Sequence, residues 1–474
     1  MLIVVILCCL LVTLLQDYSL VALPAPALAC LAGAYVAGSY LLARLSAYRG
    51  LRRLMRVGAG GRSNLLARLM PIYLLAGLAG LMLLGLGEVL EGWPHLDRVA
   101  LAARVLALLP GVAAMLAYWL AIYPLERAVR LRMQADTIIS GGRALPAWTR
   151  RQFLDFQLRQ NLLLVLVPVL LLMLIEELLA DLLGPSHEML VNYLMLAAML
   201  GVLVAAPVLI VRIWRTRSLP EGPLRSRLTL LCRAMGLTYR DIRLWQTDGV
   251  VVNAGVMGVL RPVRYVLLSD ALLENMEPRG VEAVFAHEAG HIIHHHIFYT
   301  VLLTVGLLGL AGWAGGVLEA HLHLPPQIDQ WLPVGVAGLA WIWLFGLVSR
   351  RFEWQADAHA ASLEYDQSGL LLSGGGRVRG RLTPQSVESY TATLLEVARL
   401  NGIGLDQGNF RHGSIRTRVN RLWQLLGSDP SLAQLEGRMR RLRLLIWLVF
   451  LAALAAMLRE EIQAFLAWVS KFVA

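Results

Sequence analysis

The sequence is short of charge, of cysteine and of the marks of an exported soluble protein. Asp, Glu, Lys and Arg make up 16% of its 474 residues, against about 25% in an ordinary soluble chain. That shortage excludes a wholly water-facing surface. With 57% hydrophobic residues and a mean hydropathy of +0.61, the chain reads as a membrane protein. Its four cysteines are Cys8, Cys9, Cys30 and Cys232. Three lie in apolar runs, and together they supply neither a disulfide framework nor a cysteine-ligated metal site. No basic residue precedes the first apolar run and no clean cleavage site follows it. The N-terminus therefore reads as a retained anchor. No internal repeat is evident.

What charge there is lies unevenly. The net charge is +11 and the pI is near 9.9, but the arginines cluster beside apolar runs. That is the positive-inside pattern, and no nucleic-acid partner is expected. A helix needs about 20 apolar residues to cross a bilayer. Candidate runs lie near 2–16, 22–44, 65–87, 99–122, 161–183, 189–213, 297–319, 331–349 and 442–458. The connection holding Arg49, Arg52, Arg53, Arg56 and Arg62 reads as cytoplasmic. The next, with Glu88, Glu91 and Asp97, reads as external. Arg130, Arg132, Arg143, Arg150 and Arg151 return to the cytoplasm, and Arg212, Arg215 and Arg217 follow the sixth run. Glu176 and Glu177 mark the outer interface.

After the breaker-rich linker Ser218–Pro223, the pattern predicts a helix over 224–236 and strands near 242–246, 249–257 and 263–268. A helix over 279–296 carries His287-Glu288-Ala289-Gly290-His291. Residues four apart share a helix face, so two imidazoles at this spacing can grip one zinc ion. The glutamate beside the first is placed to take a proton from water held there. This is the minimum equipment for metal-assisted peptide hydrolysis.

Other residues stand in a fixed order around the motif: Asn253-Ala254-Gly255 and Tyr265–Leu273 upstream, then Ser349-Arg350-Arg351-Phe352-Glu353-Trp354-Gln355-Ala356-Asp357, then His412-Gly413-Ser414 and Arg418. In this order they resemble the integral-membrane HExxH zinc peptidases of the CAAX prenyl protease and HtpX type, over roughly residues 222–425. His412 is followed by Gly413 where that family usually has proline, and residues 1–216 match no segment of it.

The resemblance implies metal ligands His287, His291 and Glu353 around a single zinc ion, with Glu288 as the catalytic base. Asp357, one turn after Glu353, is expected to accept a hydrogen bond from a ligand imidazole; a ligand role and a plain surface charge are its alternatives. His359 is a weaker ligand candidate. His412 and Arg418 are candidate catalytic residues, either stabilising the oxyanion or bracing the ligands. Asn253 is a candidate substrate-binding residue on a strand along the cleft. His294, His295 and His296 read as solvated side chains beside a span. The two runs between His291 and Glu353 form a hairpin, which returns the chain to the face it left and lets the ligands meet.

The expected fold is mostly α: a polytopic membrane protein of about eight or nine transmembrane helices with a cytoplasmic α+β zincin-like metalloprotease domain. Five segments are expected: a multi-span domain over 1–216, the first catalytic part over 217–296, a transmembrane hairpin over 297–350, the second catalytic part over 351–440, and a last transmembrane segment over 441–474. The expected activity is zinc-dependent hydrolysis of membrane proteins or membrane-tethered peptides at the cytoplasmic face of a bacterial inner membrane, in quality control. The alternatives are a processing protease for lipidated, CAAX-like C-termini and a sensor-protease that activates a partner regulator.

Overall fold

A computed structural model describes residues 1–16, 18–57, 65–93, 100–139, 145–322, 326–362, 382–408, 411–426 and 430–459. Helices dominate. They are α1 (Leu2–Leu15), α2 (Ala25–Val57), α3 (Leu65–Leu83), α4 (Leu86–Glu91), α5 (Ala100–Ile139), α6 (Arg150–Gln157), α7 (Leu164–Leu183), α8 (Glu188–Ile213), α9 (Pro223–Ala234), α10 (Asp270–Asn275), α11 (Pro278–Ile293), α12 (His296–Leu322), α13 (Pro326–Ala361), α14 (Pro384–Asn401), α15 (Ile415–Leu426) and α16 (Pro430–Met457). The strands are β1 (Thr216–Ser218), β2 (Asp241–Trp245), β3 (Ala254–Met257) and β4 (Tyr265–Ser269).

Two compact units share the chain. The first holds Met1–Leu219, Arg240–Asn253 and Pro262–Asn275; the second holds Pro220–Tyr239, Ala254–Arg261 and Met276–Ala474.

In the first unit, α1, α2, α3 and α5 pack together around Trp119, Leu74, Leu78, Met82 and Met115. Within this helical core, buried hydroxyls bond to backbone carbonyls. Ser39 Oγ donates to Ala114 O at 2.7 Å, and Tyr35 Oη to Leu74 O at 2.7 Å. Such bonds satisfy polar groups that hydrocarbon cannot. Glu176 and Glu177 are partnered too: Arg104 reaches Glu176 at 3.1 Å, and the Leu101 N–H donates to Glu177 at 3.1 Å. Strand β1 runs antiparallel to β2, which runs parallel to β4 in the register Asp241↔Tyr265.

The strand expected at 249–257 is shorter than its valines suggest. Residues 249–253 form no strand; Gly249 adopts φ +72°, and Asp270 accepts from the Thr247 and Gly249 N–H groups at 2.9 and 3.1 Å. Val250 and Val252 are buried in this turn, at 0% and 2% exposure.

Among the described residues, six helices are long and apolar enough to cross a membrane: Ala25–Met55, Leu65–Leu83, Leu101–Ile139, Arg150–Leu183, Met189–Ile213 and His296–Leu318. That is fewer than the eight or nine expected. The first apolar run makes a helix of only 14 residues. The last carries Arg440, Arg441 and Arg443 within its helix, and α13 carries Arg350, Arg351, Glu353 and Asp357 in its second half.

In the second unit, α11 packs on α13, α14 and β3, and α12 packs on α13 and α16. Pro278 opens α11 at a position where a missing N–H costs nothing. The helix stops at Ile293, three residues short of the expected 296. His295 sits in the left-handed region at φ +57°, and α12 starts anew at His296.

Candidate metal centre

His287 and His291 project from one face of α11, and Glu353 from α13. Gly290 lets these helices close: a Cβ placed there would lie 3.2 Å from the Ala356 Cα and 3.4 Å from the His359 Cβ. The approach brings three ligand-type atoms together. The two histidine Nε2 atoms are 3.3 Å apart; His287 Nε2 is 3.4 Å from Glu353 Oε2, and His291 Nε2 is 3.5 Å from Glu353 Oε1. A tetrahedral ion with bonds of about 2.0–2.1 Å spaces its ligand atoms about 3.3–3.4 Å apart. The triangle has that size. Glu353 is 2% exposed, and its Oε2 is buried without a hydrogen-bond partner. A buried carboxylate oxygen left in that condition is costly unless a cation meets it. The donor set therefore fits a metal ion.

The surroundings are charged and tightly coupled. Asp357, 1% exposed, approaches His287 Nδ1 at 3.0 Å and pairs with Arg418 through both oxygens, at 2.8 and 2.5 Å. Tyr390 Oη donates to Asp357 at 2.8 Å and lies 3.1 Å from His287 Nδ1. His412 Nδ1 is 2.7 Å from Glu353 Oε1. Burial opposes charge throughout; at His287, Glu353 and Asp357 the partners outweigh it. Contacts with Asp357 and Glu353 raise His287 to about 10. Its own partners hold Glu353 well below the carboxylate range, and Arg418 does the same for Asp357. His291, buried and beside that charged His287, is lowered to about 3. Glu288 is half-buried, and burial raises its carboxyl above the usual value. The site is built to hold positive charge.

The sequence-predicted residues fall as follows. His287, His291, Glu353, Asp357, His412 and Arg418 form one connected network, and Glu288 feels the charges of four of its members. Arg418 is spent on Asp357, with Glu353 farther off at 3.6 Å. His359 is not in the ligand cluster; its ring meets His294 edge-on at 5.5 Å. Asn253 belongs to the first unit, where its backbone N–H and C=O bond to Ser269 Oγ and N, each at 3.0 Å. Gly413 adopts φ +71°, a backbone state closed to proline, so this turn differs from a His-Pro element. Ser414 then caps α15 by accepting from the Thr417 N–H at 3.2 Å.

One expectation fails. The run His294–His296 does not form a solvated fringe: His295 is exposed, but His296 is 3% exposed and 2.8 Å from His291. Sequence reasoning also passed over Tyr390 and Gln355. Neither carries a local signal, since their roles arise only when α14 meets α11 and when α13 meets α12 and α16.

Residues 218–373 match Peptidase family M48. Protease HtpX of Xanthomonas euvesicatoria pv. vesicatoria is 29% identical over 144 residues, covering 28% of this chain and 48% of that protein. The CAAX prenyl protease 1 homolog of Arabidopsis thaliana is 31% identical over 177 residues, covering 34% of this chain and 41% of that protein. The chain thus spans less than half the length of these two curated relatives. Ste24p of S. mikatae, a solved structure, aligns with a TM-score of 0.49 at 14% identity, over 85% of this chain and 99% of that one. The chain thus joins helices long and apolar enough to cross a membrane to a segment that matches a peptidase family.

Proposed function

We propose that this chain is a zinc-dependent endopeptidase that cuts membrane proteins or membrane-tethered peptides. The observation that carries the reading is the convergence of the two Nε2 atoms, 3.3 Å apart, on the Glu353 carboxylate at 3.4 Å (Oε2) and 3.5 Å (Oε1), with Oε2 left without a hydrogen-bond partner. Two imidazoles, one carboxylate and tetrahedral spacing suit zinc above harder ions. When bound, zinc supplies a Lewis acid that acidifies water and polarises the scissile carbonyl. The protein's own groups do the rest. Glu288 takes the proton of the attacking water on a carboxylate oxygen and passes it to the leaving amine. His412, at the rim with 42% side-chain exposure, is tied through Nδ1 to Glu353, and in its doubly protonated form it donates from Nε2 to the oxygen that gains charge. Arg418 fixes Asp357, which holds His287 with its Nε2 toward the ligand cluster. Strand β3, entered from Asn253, lends its backbone to an extended substrate by strand addition.

Membrane substrates are favoured because ligand His291 lies within hydrogen-bond reach of His296, the first residue of a candidate span. The arginine-rich connections support a cytoplasmic side for that end of the span by the positive-inside rule, in keeping with a bacterial inner membrane. An unfolded segment is what strand addition needs, which suits quality control. Trimming of lipidated C-termini is the second reading, favoured by the name of the Arabidopsis relative.

The test is Glu288→Gln in purified full-length protein with an unfolded membrane-protein substrate and a prenylated peptide offered separately. Turnover should fall about 10²–10⁴-fold while zinc content stays unchanged. Undiminished turnover would remove Glu288 from its role. Cleavage of the prenylated peptide alone would favour the second reading.

A further inference from the structure

We propose that His296, backed by Gln355, is a positioning residue that locks the ligand His291 into the one tautomer able to bind a metal ion. The inference rests on the metal-site reading above and goes beyond the ligand set itself.

A hydrogen-bond chain runs inward from groups whose donor or acceptor character is fixed. Arg443 Nη2 lies 3.1 Å from Gln355 Oε1, and Glu436 Oε1 lies 2.6 Å from Gln355 Nε2. Arginine only donates and a carboxylate only accepts, so the Gln355 amide has a single orientation. Its Oε1 also sits 3.0 Å from His296 Nε2. That nitrogen must therefore carry hydrogen and donate. The Arg443 guanidinium shares this same oxygen, so a second positive charge on the His296 ring is disfavoured. His296 is then neutral, with a bare Nδ1. This atom is 2.8 Å from His291 Nδ1, which must donate the hydrogen between them. His291 is left with a lone pair on Nε2, the atom that faces His287 and Glu353 across the ligand triangle.

The backbone is shaped for this contact. Five helical residues rotate a side chain by about 500°, so on an unbroken helix positions 291 and 296 point about 140° apart. The left-handed His295 ends α11 and re-aims residue 296. Its ring is then clamped flat on Phe352, at 4.1 Å between centroids and 5° between planes. The two ligand histidines are thus held by different means. His287 leans on the charged Asp357–Arg418 pair, His291 on a neutral imidazole–amide chain ending at Glu436 and Arg443 of α16.

The experiment is zinc competition against a chromophoric chelator with the full-length protein, and the visible spectrum of its cobalt-substituted form. His296→Leu should weaken zinc about 10–100-fold and change the cobalt bands. His296→Asn puts an acceptor oxygen near the place of Nδ1, and should bind zinc and show a cobalt spectrum close to the parent's. Gln355→Met removes the acceptor that sets the His296 tautomer, and should also weaken zinc even if His296→Leu does not fold. Parent-like zinc affinity in Gln355→Met or in folded His296→Leu would overturn the proposal. So would equal weakening in His296→Leu and His296→Asn, which would mean that His296 acts only by packing. A parent protein that binds no zinc would instead sink the metal reading, and this inference with it.

Discussion

The two units bury polar groups in opposite ways. In the first, hydroxyls of Ser39, Tyr35 and Tyr73 bond to carbonyl oxygens of neighbouring helices, and each bond is neutral and self-contained. In the second, Glu353, Asp357, Arg418, His287, His291, His296 and Gln355 bond to one another through side chains. The first pattern joins helices and asks for nothing more. The second gathers formal charge in a buried place, which costs stability unless each charge is matched. Two carboxylates there face the Arg418 guanidinium and the charged His287, and Glu353 Oε2 still has no hydrogen-bond partner. Polar groups that only build the fold complete their bonds locally. Polar groups that serve chemistry leave a defined place for something else.

Mutations should separate the two patterns, with the largest effects in the charged one. Asp357→Ala strips Arg418 of its partner and His287 of its brace. Breaking one side of a buried pair costs about 3–5 kcal/mol, and losing a ligand's support weakens metal binding about 10–100-fold. Thermal melts and chelator titration of one preparation read both. A variant that loses neither would make Asp357 a bystander. Next in size is Gly290→Val. Its branches must enter the contact between α11 and α13, where even a Cβ lies 3.2 Å from backbone. Overpacking of that kind costs about 1–3 kcal/mol, and the cobalt spectrum should shift because Glu353 moves relative to the histidines. Smallest is Ser39→Ala in the first unit, at about 0.6 kcal/mol with unchanged zinc affinity. A large effect there on metal binding would erase the contrast.

Much of this was readable in the sequence, for reasons that differ by residue. His287 and His291 declare themselves because i,i+4 spacing is local. The spans in the first unit declare themselves because apolar length is local. The Val250–Val252 run misled because valine favours strands, whereas Gly249 and the Asp270 carboxylate impose a turn and core packing buries those side chains. His296 was misread because helical periodicity turns it away from His291; only the left-handed residue before it restores the contact. Tyr390, Gln355 and Glu436 carry no pattern of their own. They matter through tertiary placement, which one-dimensional spacing does not encode.

The most direct test of the central claim is the metal content of Glu353→Ala beside that of Glu288→Gln, each purified at full length and dialysed against a weak chelator. If the triangle is the binding site, Glu288→Gln retains one zinc per chain, as the parent does, and Glu353→Ala comes out empty. Stoichiometric zinc in Glu353→Ala would contradict the assignment of this site.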